Sequence, residues 1–334
     1  METTPAEGDL VLNREKVELP GKVSQPWFAM VHTPIPLPEA KRIPAAREAV
    51  EKEWKKLENK NAWLLDTVQE YDDVASKARK DGETVHFGHL MALCHEKHSE
   101  LRRIVREFKG RVVFRGDDVK DESGYFAVFS EQGTSASHLA AAKFLDAIAR
   151  MPGNAGGDSD ATGAYTQSTL KGPKTYITLP KDQWPSHWHG KYTRPVVELR
   201  ISLYGHPLAG LYWEEHSSEK ILKCGWEKVQ GWECLYKHRE LGLFLSVYVD
   251  DFKMAGRATN LAKAWGDLGK YLDIDPPCDL DKNIYLGSAQ RNIEAPLPLI
   301  AEKREMYDSL FGERAVSGGA TSARESQQPA FAAY

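Results

Sequence analysis

The sequence predicts an α+β protein in which an antiparallel sheet is backed by helices. Three observations carry that expectation. Apolar runs of strand length alternate along the chain with amphipathic stretches of helical period. Leu243 to Val249 is apolar almost throughout, as a central strand buried on both faces must be. Neither GxGxxG nor a P-loop is present, so the glycine signatures of nucleotide-binding parallel sheets are missing.

A chain of 334 residues with 41% hydrophobic and 28% charged side chains is long and apolar enough for a sizeable core. The net charge of -4 neither favours nor excludes a nucleic-acid partner, which needs only a local basic surface. Cys94, Cys224, Cys234 and Cys278 form no CxxC pair, which argues against a zinc ribbon and suits a reducing compartment. Cys94 near His95 and His98 is half of a metal cluster at most; ordinary burial explains it as well. The N-terminal METTPAEGDL lacks the basic and apolar regions of a signal peptide, and no apolar run nears the roughly 18–20 residues of a membrane span. The expectation is an intracellular, soluble protein, cytoplasmic or nuclear.

Residues 1–42, rich in proline and charge, read as an extended arm. Ala46, Val50, Trp54 and Leu57 then recur at helical spacing up to Asn59–Asn61, and a second helix spans 68–81 and stops at Gly82. VHFGHLMAL and GRVVFRGDD are strands. Between and into them runs a basic stretch, residues 101–116, with Arg102, Arg103, Arg106, Lys109, Arg111 and Arg115 against Glu107 alone. Taken alone, such a run reads as a solvated helix face. Ser137 caps a helix whose buried stripe is Ala140, Phe144, Leu145 and Ile148. PGNAGG is a glycine-rich break, DSDATGAYTQ a strand and turn, KTYITLP a strand, and WPSHWHGKYTRP an aromatic loop. A helix over 205–223 is followed by a strand over Glu240–Val249, a helix at NLAKAWGDLGKYL and a short last strand at IYLGSAQ. This gives an arm at 1–42, a folded domain at 43–295, a short helix at 296–315 and a low-complexity, disordered tail at 316–334.

Asp250 and Asp251 end the apolar strand. Two adjacent carboxylates there are either exposed by a hairpin turn or paired with something cationic. Asp160 stands in a similar setting after the glycine run. If the two segments are neighbouring strands, three carboxylates converge, and hard oxygen donors of this kind suit Mg²⁺, with Mn²⁺ as a substitute. Asp158 would share a strand face with Asp160, so geometry alone does not choose between them. Lys109, Arg111 and Arg115 are suited to phosphate oxygens.

The order Lys109-Gly110-Arg111-Val112-Val113, then Asp160 with Ala164-Tyr165, then Leu203-Tyr204-Gly205, then Tyr248-Val249-Asp250-Asp251, then Tyr285-Leu286-Gly287 resembles the copia-type retrotransposon reverse transcriptase, the polymerase segment of the Pol polyprotein. Asn61-Ala62-Trp63 is similar to that family's opening segment, and the resemblance covers about residues 43–290. It implies a right-hand-like polymerase fold, with fingers, an antiparallel palm sheet backed by helices, and a thumb that is short or absent. It implies two Mg²⁺ ions on Asp160, Asp250 and Asp251 as catalytic ligands, with the ions activating a primer 3′-hydroxyl and steadying pyrophosphate. Lys109, Arg111, Ala161 and Tyr165 would contact the dNTP, the Tyr165 ring excluding a 2′-hydroxyl. Arg115, Tyr248, Tyr285 and Gly287 would lie near primer and template. The implied partners are an RNA template, a DNA primer, dNTPs and other polyprotein domains, with no membrane.

One position departs from the pattern: the family commonly has Gln where Leu208 stands, and Leu cannot donate a hydrogen bond. His206 would have to compensate, although a surface histidine is the plainer reading. Three functions follow: an RNA-directed DNA polymerase, an inert nucleic-acid-binding remnant of one, or an unrelated metal-dependent phosphoester hydrolase.

Overall fold

The computed structural model describes residues 32–99, 106–129, 136–282, 284–286, 288–290 and 295–311. The elements run β1 (His32–Ile35), α1 (Leu37–Ala40), α2 (Pro44–Asn59), β2 (Gln69–Glu70), α3 (Tyr71–Asp81), β3 (Val85–Lys97), β4 (Glu107–Phe114) and β5 (Lys120–Asp121). Then follow α4 (Leu139–Ala149), β6 (Asn154–Asp160), β7 (Lys174–Thr178), β8 (Pro195–Glu198), α5 (Ala209–Lys223), β9 (Glu227–Lys228), β10 (Leu235–His238) and β11 (Leu243–Tyr248). The chain continues with β12 (Asp251–Arg257), α6 (Ala258–Leu268), β13 (Cys278–Asp279), β14 (Ile284–Tyr285), β15 (Ser288–Ala289) and α7 (Leu297–Phe311). It divides into two compact units, Met1–Glu51 with Leu93–Arg111, and Lys52–Ala92 with Val112–Tyr334.

In the first unit β1 lies antiparallel to the end of β3, with Ile35 opposite Cys94. Ala40, Ala46 and Cys94 form its core, with Ile35, Ile43, Val50 and Phe108 packed against them. Burial pushes the Cys94 thiol up from its ordinary value. Gly110 lets β4 approach α2: a Cβ there would lie 2.4 Å from the Ala49 carbonyl oxygen. Residues 32–40 were expected in an extended arm. They form a strand and a short helix instead, because Ile35 and Ala40 have apolar partners distant in sequence. Residues 1–31 of the arm and the tail lie outside the described residues, as do Arg102 and Arg103.

Besides the small pair β14–β15, the described residues of the second unit form two larger sheets. In one, β3 runs parallel to β7, β7 antiparallel to β8, and β8 antiparallel to β2. Helix α3 covers this sheet with Val74, Ala75 and Ala78 against Val85, Phe87, Tyr176 and Val196. Its last turn closes on Gly82 at φ +68°, the left-handed cap that glycine supplies. The other sheet is antiparallel, in the order β13-β6-β12-β11-β10-β9. Leu243, Leu245, Val247, Phe252 and Met254 face Trp213 and Ile221 of α5 and Trp265 and Leu268 of α6. On the opposite face Ala255, Leu235 and Leu280 meet Ala141, Leu145 and Ala149 of α4. Both faces of β11 are covered, which is why its sequence is nearly continuous in apolar residues.

Four local expectations are corrected by packing. The glycine run is no break: Gly156 and Gly157 sit within β6, where a Cβ on Gly156 would lie 2.9 Å from the Ala149 Cβ and one on Gly157 2.9 Å from the Cys278 carbonyl oxygen. The stripe of α4 is Ala141, Ala142, Leu145 and Ala149, small residues that allow this close approach, while Phe144 is 39% exposed. Ser137 does not cap α4; its Oγ meets Ser246 Oγ at 2.6 Å inside the protein. IYLGSAQ is two paired two-residue strands, β14 and β15, rather than one.

Gly256 combines φ +141° with a Gly242 carbonyl oxygen that would lie 2.3 Å from an added Cβ. Gly256→Ala is therefore expected to cost about 2–4 kcal/mol, measured as a lowered urea midpoint at unchanged slope.

Candidate functional site

Strand β12 is sandwiched between β6 and β11, and the pairing decides where the carboxylates go. Asp251 stands opposite Asp160 on one side and Tyr248 on the other. Lys253 stands opposite Asp158 and Ser246 in the same way. Because side chains alternate along a strand, Asp158, Asp160, Asp251 and Lys253 share one face. Val249 and Asp250 form the two-residue turn between β11 and β12. Val249 adopts φ +56°, a strained conformation for a β-branched residue. Two contacts hold the turn: the Trp213 indole N–H donates to the Val249 carbonyl at 2.7 Å, and the Ala161 amide donates to the Asp250 carbonyl at 2.7 Å.

The four carboxylates differ in depth. Asp160 is exposed at the rim, Asp250 and Asp251 are half-buried, and Asp158 is buried at 2% exposure. Asp251 is pushed up to about 7, first by burial, then by the charges of Asp250 and Asp160, a side-chain hydrogen bond with Asp160, and the charge of Asp158. Among the described residues no three His, Cys, Asp or Glu side chains are gathered closely enough to ligate one ion as they stand. The donor chemistry nevertheless fits a hard divalent cation: oxygen ligands whose mutual repulsion a cation would relieve.

Tyr165 follows Asp160 on a 3-10 turn, Ala164–Gln167, packed partly against the core and edge-on to Tyr204 at 4.6 Å between centroids. The Phe114 amide donates to the Tyr204 carbonyl at 2.8 Å, and Gly116 and Gly205 allow the two segments to touch. A Cβ on Gly205 would lie 2.1 Å from the Phe114 carbonyl oxygen, and one on Gly116 2.2 Å from the Gly205 carbonyl oxygen. Arg115, at this junction, pairs with Asp117 at 2.8 Å. Tyr248 is 39% exposed beside Asp251. Lys109 and Arg111 lie half-buried on β4 in the first unit.

Several expectations change here. Ala161 is buried and its amide is committed to Asp250, so that N–H cannot be offered to a triphosphate. Tyr285, expected at a primer-facing edge, is 6% exposed because its ring packs under the Lys253 ammonium. Gly287 lies outside the described residues. His206 is not a surface histidine. It is 6% exposed, set among the tilted and edge-on rings of Phe114, Phe129 and Tyr212, and pushed down to about 4 by burial and then by His86, so it is neutral. Its Nδ1 accepts the Leu208 amide at 3.2 Å, which leaves Nε2 as the protonated nitrogen. His206 and Leu208 line a cavity of about 230 Å³ with His86, Thr175, Tyr212 and Lys171. In the aromatic loop, Trp188 is buried and the Trp184 indole donates to the Leu179 carbonyl at 2.8 Å, so both serve the core edge.

Two cations near the site went unnoticed in the sequence. Lys60, at the end of α2, donates to Thr166 Oγ1 at 3.1 Å beside the Asp160–Tyr165 segment, its pKa lowered by burial and then by Lys56. Lys253 is buried and pairs with Asp146 of α4 at 2.6 Å. Only the strand period could have flagged Lys253, by placing it on the face of Asp251.

No protein-family model matches the chain. A 105-residue stretch, 31% of the chain, is 30% identical to the truncated transposon Ty1-A Gag-Pol polyprotein of Saccharomyces cerevisiae, of which it covers 8%. The Ty1-DR5 and Ty1-LR2 Gag-Pol polyproteins of the same yeast match over the same length at the same identity, and the match covers 5% of each. The chain thus has homology to a small part of copia-type retrotransposon polyproteins. Among the described residues no helix is long and apolar enough to cross a membrane.

Because the folded Asp251 value lies above the ordinary 3.8, its stabilising contribution is complete below about pH 4 and is lost as pH rises through about 7. In EDTA, the melting temperature of Asp251→Asn relative to the parent is expected to climb between pH 5 and 8. A flat difference would count against the shared carboxylate environment.

Proposed function

We propose that the chain is a retrotransposon-derived RNA-directed DNA polymerase, a reverse transcriptase adding dNTPs to a primer 3′ end. One observation carries the reading: Asp160 and Asp251 face each other across β6 and β12 at the mouth of the Val249–Asp250 turn, with Tyr165 on the turn that follows Asp160. The similarity to Ty1 Gag-Pol polyproteins supports the same origin. On this reading the antiparallel six-stranded sheet is a polymerase palm, and the fold is of the right-hand type.

The residues divide the work. Asp160, Asp250 and Asp251 would hold the divalent cations, on the oxygen donors that hard ions prefer. Two Mg²⁺ or Mn²⁺ ions, when bound, would lower the proton affinity of the primer 3′-hydroxyl and steady the departing pyrophosphate. The Tyr165 ring would lie under the incoming sugar and select dNTP over rNTP by size. Tyr248, exposed beside Asp251, would border the primer end, with RNA template and DNA primer held mainly through phosphates. Lys109 and Arg111 remain candidates for phosphate oxygens on their own unit.

A second reading, the inert nucleic-acid-binding remnant, is favoured by two observations. Leu208 brings no donor to its position, and the Ala161 amide is already committed.

The test is dNTP incorporation on an RNA template with a DNA primer, in Mg²⁺ and in Mn²⁺. Metal-dependent extension is expected, falling at least about 100-fold in Asp250→Ala, with Leu208→Gln lowering the KM for dNTP. Hybrid binding without extension by the parent would move the assignment to the remnant. Hydrolysis of a phosphoester without primer would favour the hydrolase.

A further inference from the structure

Strand period gives the sheet of β3 and β7 two faces. Val85, Phe87 and Tyr176 meet α3 on one, so His86 and Thr175 point to the other, side by side in register. That second face is the floor of the cavity of about 230 Å³. His206 enters it from the turn before α5, and Tyr212 from the first turn of α5. Thr84, Val128, Lys171 and Pro173 are exposed and form its mouth. Polar atoms of the floor lack partners. His86 is 7% exposed, yet neither of its ring nitrogens makes a hydrogen bond among the described residues. His206 is bonded through Nδ1 to the Leu208 amide, so its Nε2–H is unspent. The unpaired nitrogens of both rings are not sealed inside protein. On side chains this deeply buried, they are open only to the cavity. Burial lowers the pKa of both imidazoles, so both are neutral at neutral pH. His86 therefore offers one donor and one acceptor, and His206 one donor. The Thr175 hydroxyl, on a residue 2% exposed, has a single long contact, 3.4 Å to the Pro173 carbonyl. Leu208 and Phe129 supply the apolar wall, and the Phe129 ring is edge-on to His86 at 5.0 Å and to His206 at 5.8 Å between centroids.

Buried polar groups are almost always paired, so donors and an acceptor left open in an apolar hollow mark a place for a ligand that brings its own. Neutral imidazoles and a hydroxyl favour an uncharged ligand with donors and acceptors along one edge. The Lys171 ammonium at the mouth is already paired with Glu215 at 2.5 Å. The volume lies below the roughly 300 Å³ at which pockets for drug-sized ligands begin, which suits a single flat ring system. We propose that this cavity is a nucleobase pocket. One unpaired base enters it, with its hydrogen-bonding edge on His86, His206 and Thr175 and its apolar face against Leu208 and Phe129. Splayed bases are read in this way, by hydrogen bonds to an edge and contact with aromatic side chains. The choice of a base rests on the polymerase reading above, in which a single-stranded stretch of template supplies it.

The test follows the imidazole nitrogens by NMR in the whole chain carrying ¹⁵N-histidine, in EDTA and without dNTP, so that neither metal nor turnover enters. The probes are adenosine, guanosine, cytidine and uridine, then a short unpaired RNA and an abasic strand of the same length. Saturable shifts of the His86 and His206 nitrogens are expected with at least one nucleoside. Its affinity is expected to fall about ten-fold in His86→Phe, with an unchanged circular dichroism spectrum. Thr84→Trp, at the exposed mouth, is expected to weaken binding as well without touching the buried floor. Shifts with RNA but not with the abasic strand identify a strand's base as the occupant, and shifts with nucleosides alone identify a free one. Silence of both histidines with every probe, or equal shifts with the abasic strand, overturns the inference. Primer extension is scored apart on the same preparation. Extension with silent histidines removes the pocket and leaves the polymerase, and an occupied pocket without extension removes the polymerase alone.

Discussion

Asp158, Asp160, Asp250 and Asp251 repel one another, and the end of the central sheet must hold all four. Two unit charges about 4 Å apart at the edge of a protein interact by about 4 kcal/mol, so the fold cannot gather them at one depth without consequence. It spreads them instead: Asp160 stays in water, Asp251 takes up a proton readily, and Asp158 is sunk where Lys253 stands directly opposite. Lys253 is in turn anchored by Asp146, from a helix that the sheet needs anyway as cover. Strands β6 and β12, with the helix α4 that covers them, thus carry every charge that answers this one electrostatic problem besides Asp250 in the turn.

Rigidity around the turn follows as well. A two-residue turn with valine in a left-handed conformation persists only where its surroundings over-determine it. The Trp213 indole and the Ala161 amide do so, and both belong to segments anchored in the core. Ala161 thereby gives up any role as a donor to a ligand. The position is structural because the turn beside it is strained.

Much of this was legible in the sequence. The apolar run ending in Asp250 and Asp251 marked a central strand, and the period of two placed Asp158 and Asp160 on one face. What could not be read depended on contacts between distant segments. Gly156 and Gly157 resembled a break because nothing in the sequence announced that Ala149 and Cys278 press against them. The helix stripe was misjudged by one position for the same reason: small alanines, not Phe144, face a strand that carries glycines. His206 read as a surface residue because its aromatic neighbours come from Phe114, Phe129 and Tyr212, up to some ninety positions away. A lone lysine inside a strand gave no hint of Asp146, more than a hundred positions earlier.

The place of β12 also bears on synthesis of the chain. Strand β6 leaves the ribosome long before β12, yet β12 is the strand that covers its edge and separates it from β11. Until then β6 carries Asp158 and Asp160 on a strand whose edge is open to any other extended segment. The pair β6–β12 must close a loop of some ninety residues, which is slow compared with local helix formation. A nascent chain halted within α5 would hold half of its acidic site on an unpaired strand. The two charges on that strand then act as a guard against edge-to-edge association before they act as anything else.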